Sequence, residues 1–534
     1  MNVFAHTTVE RKCAKLRDTL SIAICAALAL GATQAQALVH HVANNFDTGT
    51  GSLRQAIIDA NADADASNNV VFDNTVVSPI TLTSGQLPIS KSMTVQGPGA
   101  ALLTISGNNV SRIFYVAPTA GSVSISGLKL TGGSGVNGGA VSAAANLTLQ
   151  DLAIVNNAAS NLGGGVFVDN YPSAVSVTLS NVTVSGNQAQ QYGGGIFMDL
   201  GSSSGTATIQ NSIISGNATV GSAGAGGVYV VRGAVTMSAT QVVDNQSVYD
   251  GAGILAAISK LTVHDSVISG NTASGFLSKG GGILSSGALY MDRCTLDGNR
   301  AGQGGGLDLV VYGGGATITN STISNNHATY GAGGGLVALS STPAGSNFSV
   351  AITNSTVAGN VSGTGNGGGL YTAVGYANLG NPKGTGVLTI ESSTIAGNSA
   401  QIGGGAYALN RGNAIEMHNT IVANNTAAAL DPDINGSFIA NYSFIRNPGV
   451  ASIAGSHNNT SGADPLLGPL TVNGGPTQTM LPALGSPVID AGNNSGAPNV
   501  DQRGLPRPVN VKADIGAVER QSPEDVVFRN GFES

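Results

Sequence analysis

Short runs of alternating apolar and polar residues recur along this chain between Asp151 and Asn425. One copy reads Asn181-Val-Thr-Val-Ser-Gly-Asn187 and continues with Gly193-Gly-Gly-Ile-Phe-Met198. The first run of every copy ends in an asparagine, and these residues are Asn157, Asn187, Asn217, Asn245, Asn271, Asn299, Asn326, Asn360, Asn398 and Asn425. Their spacing is typical of a solenoid, in which each repeat packs only against its neighbours.

Alignment on that asparagine gives columns with a physical meaning. The position three residues earlier is aliphatic from Val184 to Val422, and the position five residues earlier is small, from Val182 to Thr420. Residues two apart lie on the same face of a strand, so both columns are predicted to face inward. The position before the asparagine holds Gly, Asn or Asp, which tolerate a left-handed backbone and predict a turn. The asparagines are predicted to bond from coil to coil.

The rest of each copy supplies further strands. A glycine run opens a second strand, and a third strand such as residues 175–179 closes the repeat. A copy of about 30 residues or fewer has no room for a crossover helix between its strands. Each strand must therefore pair with the equivalent strand of the next coil. The sequence therefore predicts an all-β fold, a single-stranded right-handed parallel β-helix (solenoid) that forms a monomeric rod.

The start of the repeat region is predicted to be covered by a helix. Ser52-Leu-Arg-Gln55 has the pattern of a capping box. Leu53, Ala56, Ile57 and Ala60 follow at helical spacing. A short N-terminal capping helix would protect the open end of the stack from association with other chains.

The first residues are predicted to be a secretory signal peptide. Four basic residues precede a 13-residue apolar run, Leu20 to Ala32, and Ala35-Gln-Ala37 matches a cleavage site after Ala37. We therefore expect a protein that is secreted or on the cell surface of a bacterium. The expected regions are a signal peptide (1–37), a cap and first coils (38–100), β-helix repeats (101–430), C-terminal coils and cap (431–520) and a tail (521–534).

The composition of the chain limits the kinds of binding partner that it can have. Charged residues make up 9% of the chain and its net charge is −7. Loss of the signal peptide removes four basic and two acidic residues, which leaves −9. No basic cluster could hold nucleic acid, and the mature chain has no apolar run that spans a membrane. Of the three cysteines only Cys294 lies beyond the signal peptide; it stands in the inward small-residue column, where we expect a packed side chain.

Two stretches resemble known families. Asp47-Thr-Gly-Thr-Gly-Ser-Leu-Arg-Gln-Ala-Ile57 resembles the CSLREA region of secreted bacterial β-helix proteins, with Gly51 in place of its Cys and Gln55 in place of its Glu. The C-terminal region is similar to the choice-of-anchor Q domain in residues 463–470, 473–479, 485–492, 501–504 and 513–519. The repeats also look like those of polymorphic outer-membrane proteins. These resemblances imply an exported surface or extracellular protein and do not imply a particular reaction.

An outward column next to the glycine runs is the first candidate binding surface. Its aromatic members are Phe167, Phe197, Tyr229, Tyr371 and Tyr407. Exposed, they would form an apolar stripe that marks a binding surface. The alternative is that loops near residues 340–348 and 375–386 cover part of it.

Three acidic groups are further candidates. Asp431-Pro-Asp433-Ile-Asn435-Gly436 resembles the start of a calcium loop, but Tyr442 stands where the bidentate Glu belongs, so we prefer a turn to a metal site. Asp169 and Asp199 follow their glycine runs at the same offset and would either share a cation or proton, or be solvated. Charge near the C terminus is interpreted as a salt-bridged network rather than a catalytic set, with members Asp490, Asp501, Arg503, Arg507, Asp514 and Glu519.

The sequence favours a non-catalytic, adhesin-like protein that needs no cofactor and binds a polysaccharide or a host or cell-surface protein. The alternative is a polysaccharide lyase or hydrolase of the pectate-lyase-like fold. Enzymes of that kind need acid, base and cation ligands converging in one groove. The seven Lys and Arg residues between positions 140 and 425 are scattered over different columns, and the chain has no Trp to stack on sugar rings.

Overall fold

The computed structural model describes residues 38–63, 68–311, 315–340, 348–373, 386–409, 415–457 and 459–521. These residues form a right-handed parallel β-helix of about 13 turns, as predicted. The predicted signal peptide, with its expected cleavage site after Ala37, and the tail from 522 onward lie outside the described residues, as do most of the two loops proposed as covers. Among the residues described, no helix has the length and hydropathy needed to cross a bilayer.

Each complete coil contributes one strand to each of four parallel sheets, here numbered 1 to 4 in the order the chain visits them. The strands of sheet 1 are Leu38–Val42, Asn68–Phe72, Met93–Gln96, Ser122–Ser126, Asn146–Gln150, Ser176–Ser180, Thr206–Gln210, Ala234–Ser238, Lys260–His264, Leu289–Asp292, Ala316–Thr319, Phe348–Thr353, Gly386–Glu391, Ile415–His418, Ser437–Asn441 and Ser452–His457. The strands of sheet 2 are Ile80–Thr81, Thr104–Ser106, Lys129–Thr131, Ala153–Val155, Thr183–Ser185, Ile213–Ser215, Gln241–Val243, Val267–Ser269, Thr295–Asp297, Thr322–Ser324, Thr356–Ala358, Thr394–Ala396, Ile421–Ala423 and Phe444–Ile445.

Sheets 3 and 4 complete the coil. The strands of sheet 3 are Ser134–Asn137, Ala158–Leu162, Gln188–Ala189, Ala218–Thr219, Gln246–Ser247, Thr272–Ala273, Arg300–Ala301, His327–Ala328, Val361–Ser362, Ser399–Ile402 and Thr426–Leu430. The strands of sheet 4 are Leu87–Ile89, Phe114–Val116, Val141–Ala143, Val166–Asp169, Ile196–Asp199, Val228–Val230, Ile254–Ala256, Ile283–Ser285, Leu307–Val311, Leu336–Ser340, Leu370–Ala373, Ala406–Ala408 and Ile434–Asn435.

The expectation of three strands per coil was wrong. Sheet 3 is the additional one, and many of its strands hold only two residues, such as Gln188–Ala189 directly after Asn187. The chain pairs there because the Gln188 N–H donates to the Asn157 carbonyl of the preceding coil at 2.9 Å. Two residues are too few to show an apolar alternation, so the sequence pattern gives no signal for this sheet.

Inside the coil, the ladder of ten asparagines runs the length of the repeats. The Nδ2 of each asparagine donates to the Oδ1 of the next at 2.9–3.0 Å. That Oδ1 also accepts the backbone N–H of the preceding asparagine, as in Asn157 to Asn187 at 3.0 Å. A second Nδ2 bond reaches the carbonyl three residues before the preceding asparagine, as from Asn187 to Ile154 at 2.9 Å. Every polar atom of a buried interior amide therefore has a partner.

The glycine runs are required by this ladder. A Cβ added to Gly195 would lie 3.0 Å from Cγ of Asn217 and 2.8 Å from the Gly227 carbonyl, and Gly253 meets Asn271 and Gly282 in the same way. Real Cβ atoms almost never approach other atoms so closely, so glycine at these positions leaves room for the carbonyl and the asparagine of the next coil. The recurrence of Asn with Gly-Gly-Gly is thus a single packing motif.

The ladder ends at a carboxylate. Asp433 Oδ1 accepts both the backbone N–H of Asn425 at 3.2 Å and its Nδ2 at 2.9 Å, the two bonds that a further asparagine would have accepted. Oδ2 accepts the Asn447 N–H at 2.8 Å. A carboxylate only accepts hydrogen bonds when ionised, which suits a last rung that has nothing further to donate to.

A helix, Leu53–Ala62, covers the first coil with Leu53, Ala56, Ile57 and Ala60 buried. The Ser52 side chain accepts the Gln55 N–H at 3.1 Å. The reciprocal half of the predicted capping box is missing, because the Gln55 side chain donates to Asp59 at 2.8 Å instead. A 3-10 helix, Pro118–Ala120, connects two early strands.

The C-terminal flank segment, residues 463–521, contacts the side of the solenoid. It contains a hairpin of Leu467–Thr471 and Thr479–Pro482, and it lies along the outer face of sheet 2. The side chains it buries there are Thr322, Thr356, Thr394, Ile421 and Phe444. On uncovered coils of the same sheet, Ile213 stays 40% exposed and Val267 37%. The segment therefore supports the later coils from the side.

Removing one asparagine should weaken the whole stack. Asn271→Leu would leave the backbone N–H and a side-chain N–H of Asn245 without their acceptor, and each orphaned buried group costs about 1–3 kcal/mol. We expect a loss of roughly 3 kcal/mol in urea unfolding monitored by circular dichroism. The control is Asn447→Leu, at an exposed side chain. Equal losses for the two variants would contradict the ladder's role.

The flank segment should depend on its buried ion pair. Arg507 and Glu519 are 0% and 1% exposed and lie 3.3 Å apart, so Arg507→Met leaves a buried carboxylate without its cation. We expect a cost of about 3–5 kcal/mol and faster proteolysis within the segment. Arg446→Met breaks the exposed pair with Asp464 and should cost about 1 kcal/mol or less. Similar proteolysis of both variants would show that the pair does not hold the segment.

Candidate functional site

The aromatic column on sheet 4 is a stack of rings, but it is not the exposed stripe that we considered. Phe167 and Phe197 stack with centroids 5.2 Å apart, and Phe197 meets Tyr229 edge-on at 5.3 Å. Phe167 is only 8% exposed and Phe197 7%. Tyr371 and Tyr407, stacked at 5.5 Å, are half-buried like Tyr229. The apolar stripe expectation is therefore wrong at the two phenylalanines.

The cover is the turn that opens each glycine run. Gly163 and Gly193 have φ of +63° and +68°, and a Cβ on either would lie about 3 Å from the backbone of Phe167 or Phe197. The turn therefore folds back onto sheet 4 at the positions that carry the two phenylalanines. Glycine allows both the left-handed backbone and the close approach.

Beside this column lies a polar cluster that spans three coils, here called the tyrosine–arginine patch. It comprises Asp169, Tyr171, Tyr192, Asp199, Tyr229 and Arg232. Asp169 and Asp199 are partners in register on neighbouring strands, as their equal offsets predicted. Each carboxylate also accepts a backbone N–H two residues on, Tyr171 for Asp169 and Gly201 for Asp199, both at 3.0 Å. These bonds fix the loops that follow the two strands.

Arg232 contacts members of the patch on two other coils. Its Nε donates to Asp199 Oδ1 at 2.9 Å, and Nη2 donates to Oδ2 of the same carboxylate. The guanidinium carbon lies 4.2 Å from the centre of the Tyr171 ring, a cation–π contact that reaches back across two coils. The bond to Asp199 raises the pKa of Arg232, and the charge of Asp169 adds to this effect. Arg232 is thus shared by the two aspartates, more tightly by Asp199.

The tyrosines give the patch its exposed faces. Tyr171 is 63% exposed, although its ring is held by Arg232. Tyr192 and Tyr229, both half-buried, stack with centroids 4.8 Å apart. Burial raises the pKa of Tyr229, and its neighbours Tyr192 and Asp199 raise it further. The patch offers ring faces and hydroxyl groups at neutral pH.

Sequence reasoning missed Tyr171, Tyr192 and Arg232 as site residues. They lie outside the strands, in loops whose lengths differ between copies, so column alignment does not compare them. A search for tyrosines and arginines in the loops flanking Asp169 and Asp199 would have found them.

The residues of the candidate calcium loop, Asp431, Asp433 and Asn435, make hydrogen bonds within the protein. Asp433 ends the asparagine ladder, Asp431 Oδ1 accepts the Val450 N–H at 3.0 Å, and Asp431 Oδ2 accepts from Asn435 Nδ2. In the part of the chain that the structure describes, no three His, Cys, Asp or Glu side chains form a group able to hold a metal ion.

The C-terminal charges form a network that is buried around Arg507 and Glu519 and exposed at Asp490. Arg503 pairs with Asp501 at 2.6 Å, and Asp501 also accepts the Glu519 N–H at 3.0 Å. Glu519 accepts the N–H groups of Val509 and Asp514, each at 2.9 Å, besides pairing with Arg507. Burial raises the pKa of Asp514 to about 6. Asp490 accepts from Asn510 at 3.1 Å. These contacts lie within the flank segment and fix its shape.

Two further titratable groups are enclosed. Burial raises the pKa of the Cys294 thiol to about 12, so it stays protonated and donates to the Val263 and Asp292 carbonyls. Asp308 occupies the sheet 4 column between Leu284 and Val337 with no exposed surface. Its Oδ2 accepts from Gln303 at 2.9 Å, whereas its Oδ1 has no partner among the residues that the structure describes. Burial raises the pKa of Asp308 to about 7.

Comparison with known proteins does not identify a function for this chain. No protein-family model and no curated protein matches the sequence, so the resemblance to CSLREA and choice-of-anchor Q regions stays a prediction. The structure is similar to that of pectate lyase Pel9A, with 13% identity, a TM-score of 0.34, and coverage of 91% of this chain and 98% of that one. It is also similar to the A-module of the Azotobacter vinelandii mannuronan C-5 epimerase AlgE6, with 13% identity, a TM-score of 0.34, and coverage of 78% and 95%. The function must be argued from the chain's own residues.

Asp308 should make stability depend on pH. Its folded-state pKa of about 7 lies above the ordinary value of 3.8, so its contribution to stability is complete below about pH 4 and is lost as the pH rises through 7. Asp308→Asn keeps the shape and cannot ionise. We expect it to match the parent near pH 4.5 and to exceed it at pH 8 by roughly 2–4 kcal/mol, since one pKa unit equals about 1.4 kcal/mol.

Urea unfolding of both proteins at the two pH values measures this difference. The exposed carboxylate variant Asp244→Asn is the control and should show no such change. A difference between Asp308→Asn and its parent that is the same at pH 4.5 and pH 8 would show that Asp308 does not titrate in this range.

Proposed function

We propose that the protein is an exported, adhesin-like β-helix that holds an extracellular glycan on the tyrosine–arginine patch without changing it. On this proposal it acts as a monomeric rod at or outside the bacterial surface and needs no metal or cofactor. The signal-like first 37 residues and the resemblance of residues 47–57 and 463–519 to exported proteins support the location.

The observation that carries the proposal is the exposed, prearranged ring of Tyr171. A tyrosine ring that is 63% exposed would normally move freely, but the cation of Arg232 holds this one in place at 4.2 Å. A fixed aromatic face loses little entropy when the apolar face of a sugar ring stacks on it. The stacked pair of Tyr192 and Tyr229 extends the surface, and Asp169 offers carboxylate oxygens to sugar hydroxyls.

The shape of the solenoid suits a polymer. Neighbouring coils repeat at about 4.8 Å, so a patch on three coils presents its groups along a line rather than in a closed pocket. A chain of sugars can lie along such a line and leave at both ends. This geometry favours attachment to a polymer over recognition of a small molecule.

A polysaccharide lyase or hydrolase is the second candidate, since Asp169 and Asp199 lie on adjacent strands with an arginine beside them. Asp199 is less suited to proton transfer, because both of its oxygens bind Arg232 and one also binds Gly201. Incubation with pectin and alginate, followed by ultraviolet absorbance for unsaturated products and by reducing-end assay, decides between the two. Product formation that Asp169→Asn abolishes would establish the enzyme.

Loss of the exposed ring should weaken attachment. We expect Tyr171→Ser to reduce binding to a retained glycan by about tenfold, and Tyr171→Ser with Tyr192→Ser to reduce it further, because stacking residues contribute most of the contact energy. Binding is screened on a glycan array and measured by affinity electrophoresis. Tyr290→Ser, on the face of sheet 1, is the control and should bind like the parent. An unchanged affinity in the double variant would exclude this patch.

A further inference from the structure

The charges of the tyrosine–arginine patch bear on the kind of glycan that it can hold. The patch contains two carboxylates and one guanidinium, so it carries a net charge of −1 at neutral pH. The chain around it is acidic as well, with 28 Asp and Glu against 21 Lys and Arg. A polymer of uronic acids would bring one more negative charge per sugar against this surface.

The one cation of the patch is already committed. Arg232 gives Asp199 two hydrogen bonds from one edge of its guanidinium, the bidentate geometry that it would otherwise offer to a sugar carboxylate. The Asp199 side chain is only 9% exposed and that of Arg232 is 36% exposed, so the carboxylate half of this pair is largely shielded from water. The flat face of Arg232 is taken by the ring of Tyr171.

Asp169 adds a repulsive element. Its side chain is half-buried and next in register to Asp199, and its charge also acts on Arg232. Its hydrogen bond to the Tyr171 N–H holds it close to the exposed ring on which a sugar would stack. A carboxylate there accepts hydrogen bonds from hydroxyl groups, but it repels a ligand carboxylate, and like charges facing each other at an interface are costly.

From this arrangement we propose that the patch selects neutral glycans and rejects uronic-acid polymers such as pectate and alginate. The inference rests on the proposed function and deepens it, since it names the chemical class of the ligand. Recognition comes from ring stacking on Tyr171 and from hydroxyl groups that donate to Asp169. Discrimination comes from the charge of Asp169 and from the engagement of Arg232 by Asp199.

The test uses pairs of soluble oligosaccharides that differ only in the carboxylate. Suitable pairs of equal length are oligogalacturonates with their carboxyl-reduced forms, oligomannuronates with β-1,4-manno-oligosaccharides, and C6-oxidised cello-oligosaccharides with cello-oligosaccharides. Calorimetric titration is run in EDTA at low and at moderate salt. We expect the neutral member of at least one pair to bind, at least about tenfold more tightly than its uronate partner, and with little dependence on salt.

Two variants separate charge from shape. Asp199→Asn frees the guanidinium of Arg232 and is expected to raise uronate affinity by about tenfold, with the gain lost at high salt. Asp169→Asn should raise the uronate affinity by a smaller factor, because this substitution removes the repulsion but does not free Arg232. Circular dichroism and urea unfolding confirm that both variants keep the fold. Unchanged uronate affinity in both variants would overturn the charge argument.

The remaining outcomes distinguish the inference from the function on which it rests. Equal or tighter binding of a uronate member by the parent, lost in Tyr171→Ser, would overturn the inference and leave glycan binding in place. Uronate binding that appears when calcium replaces EDTA would also overturn it, because a bridging cation would then supply the missing charge. Absence of binding to every member of a broad glycan screen would overturn both.

Discussion

The packing of the ladder asparagines from Asn187 to Asn425 against the third glycine of the preceding coil is the constraint on which the rest of the structure depends. The asparagine side chain binds the coils before and after it, as Asn187 does with Ile154 and Asn217. The glycine makes the room for it. Loops between the strands vary in length, yet the bond repeats at 2.9–3.0 Å from Asn157 to Asn425. The interior polar contact therefore sets the register, and apolar burial supplies the driving force.

The register set by the asparagine ladder also positions residues on the surface. Because Asn187 fixes one coil against the next, the strands ending at Asp169 and Asp199 lie side by side, and the loops beyond them meet. Arg232, from a third coil, can then contact Asp199 and Tyr171 together. The patch needs no pocket of its own, since loops on consecutive coils bring the groups together. Binding surfaces on a solenoid can form in this way while the core stays unchanged.

Features that recur as columns could be predicted from the sequence, because stacking repeats one environment in every coil. The inward aliphatic column, the turn before each asparagine and the helix after Ser52 follow from periodicity and residue type. Sheet 3 could not be predicted, because most of its strands hold two residues, which is too few to show an alternation of apolar and polar side chains. The cover over Phe167 depends on how closely the Gly163 turn approaches, which composition does not show. The contact between Arg507 and Asn354 joins residues 153 apart, and no local pattern records it.

We infer that the asparagine ladder is the last part of the coil stack to open. Hydrogen exchange of the backbone and side-chain amides of Asn217, Asn245 and Asn271, followed by NMR under native conditions, measures this opening. We expect these protons to exchange only when the whole solenoid unfolds, with the free energy of global unfolding. Exchange as fast as that of the loop amides near Tyr192 would contradict it, and would place the source of register elsewhere.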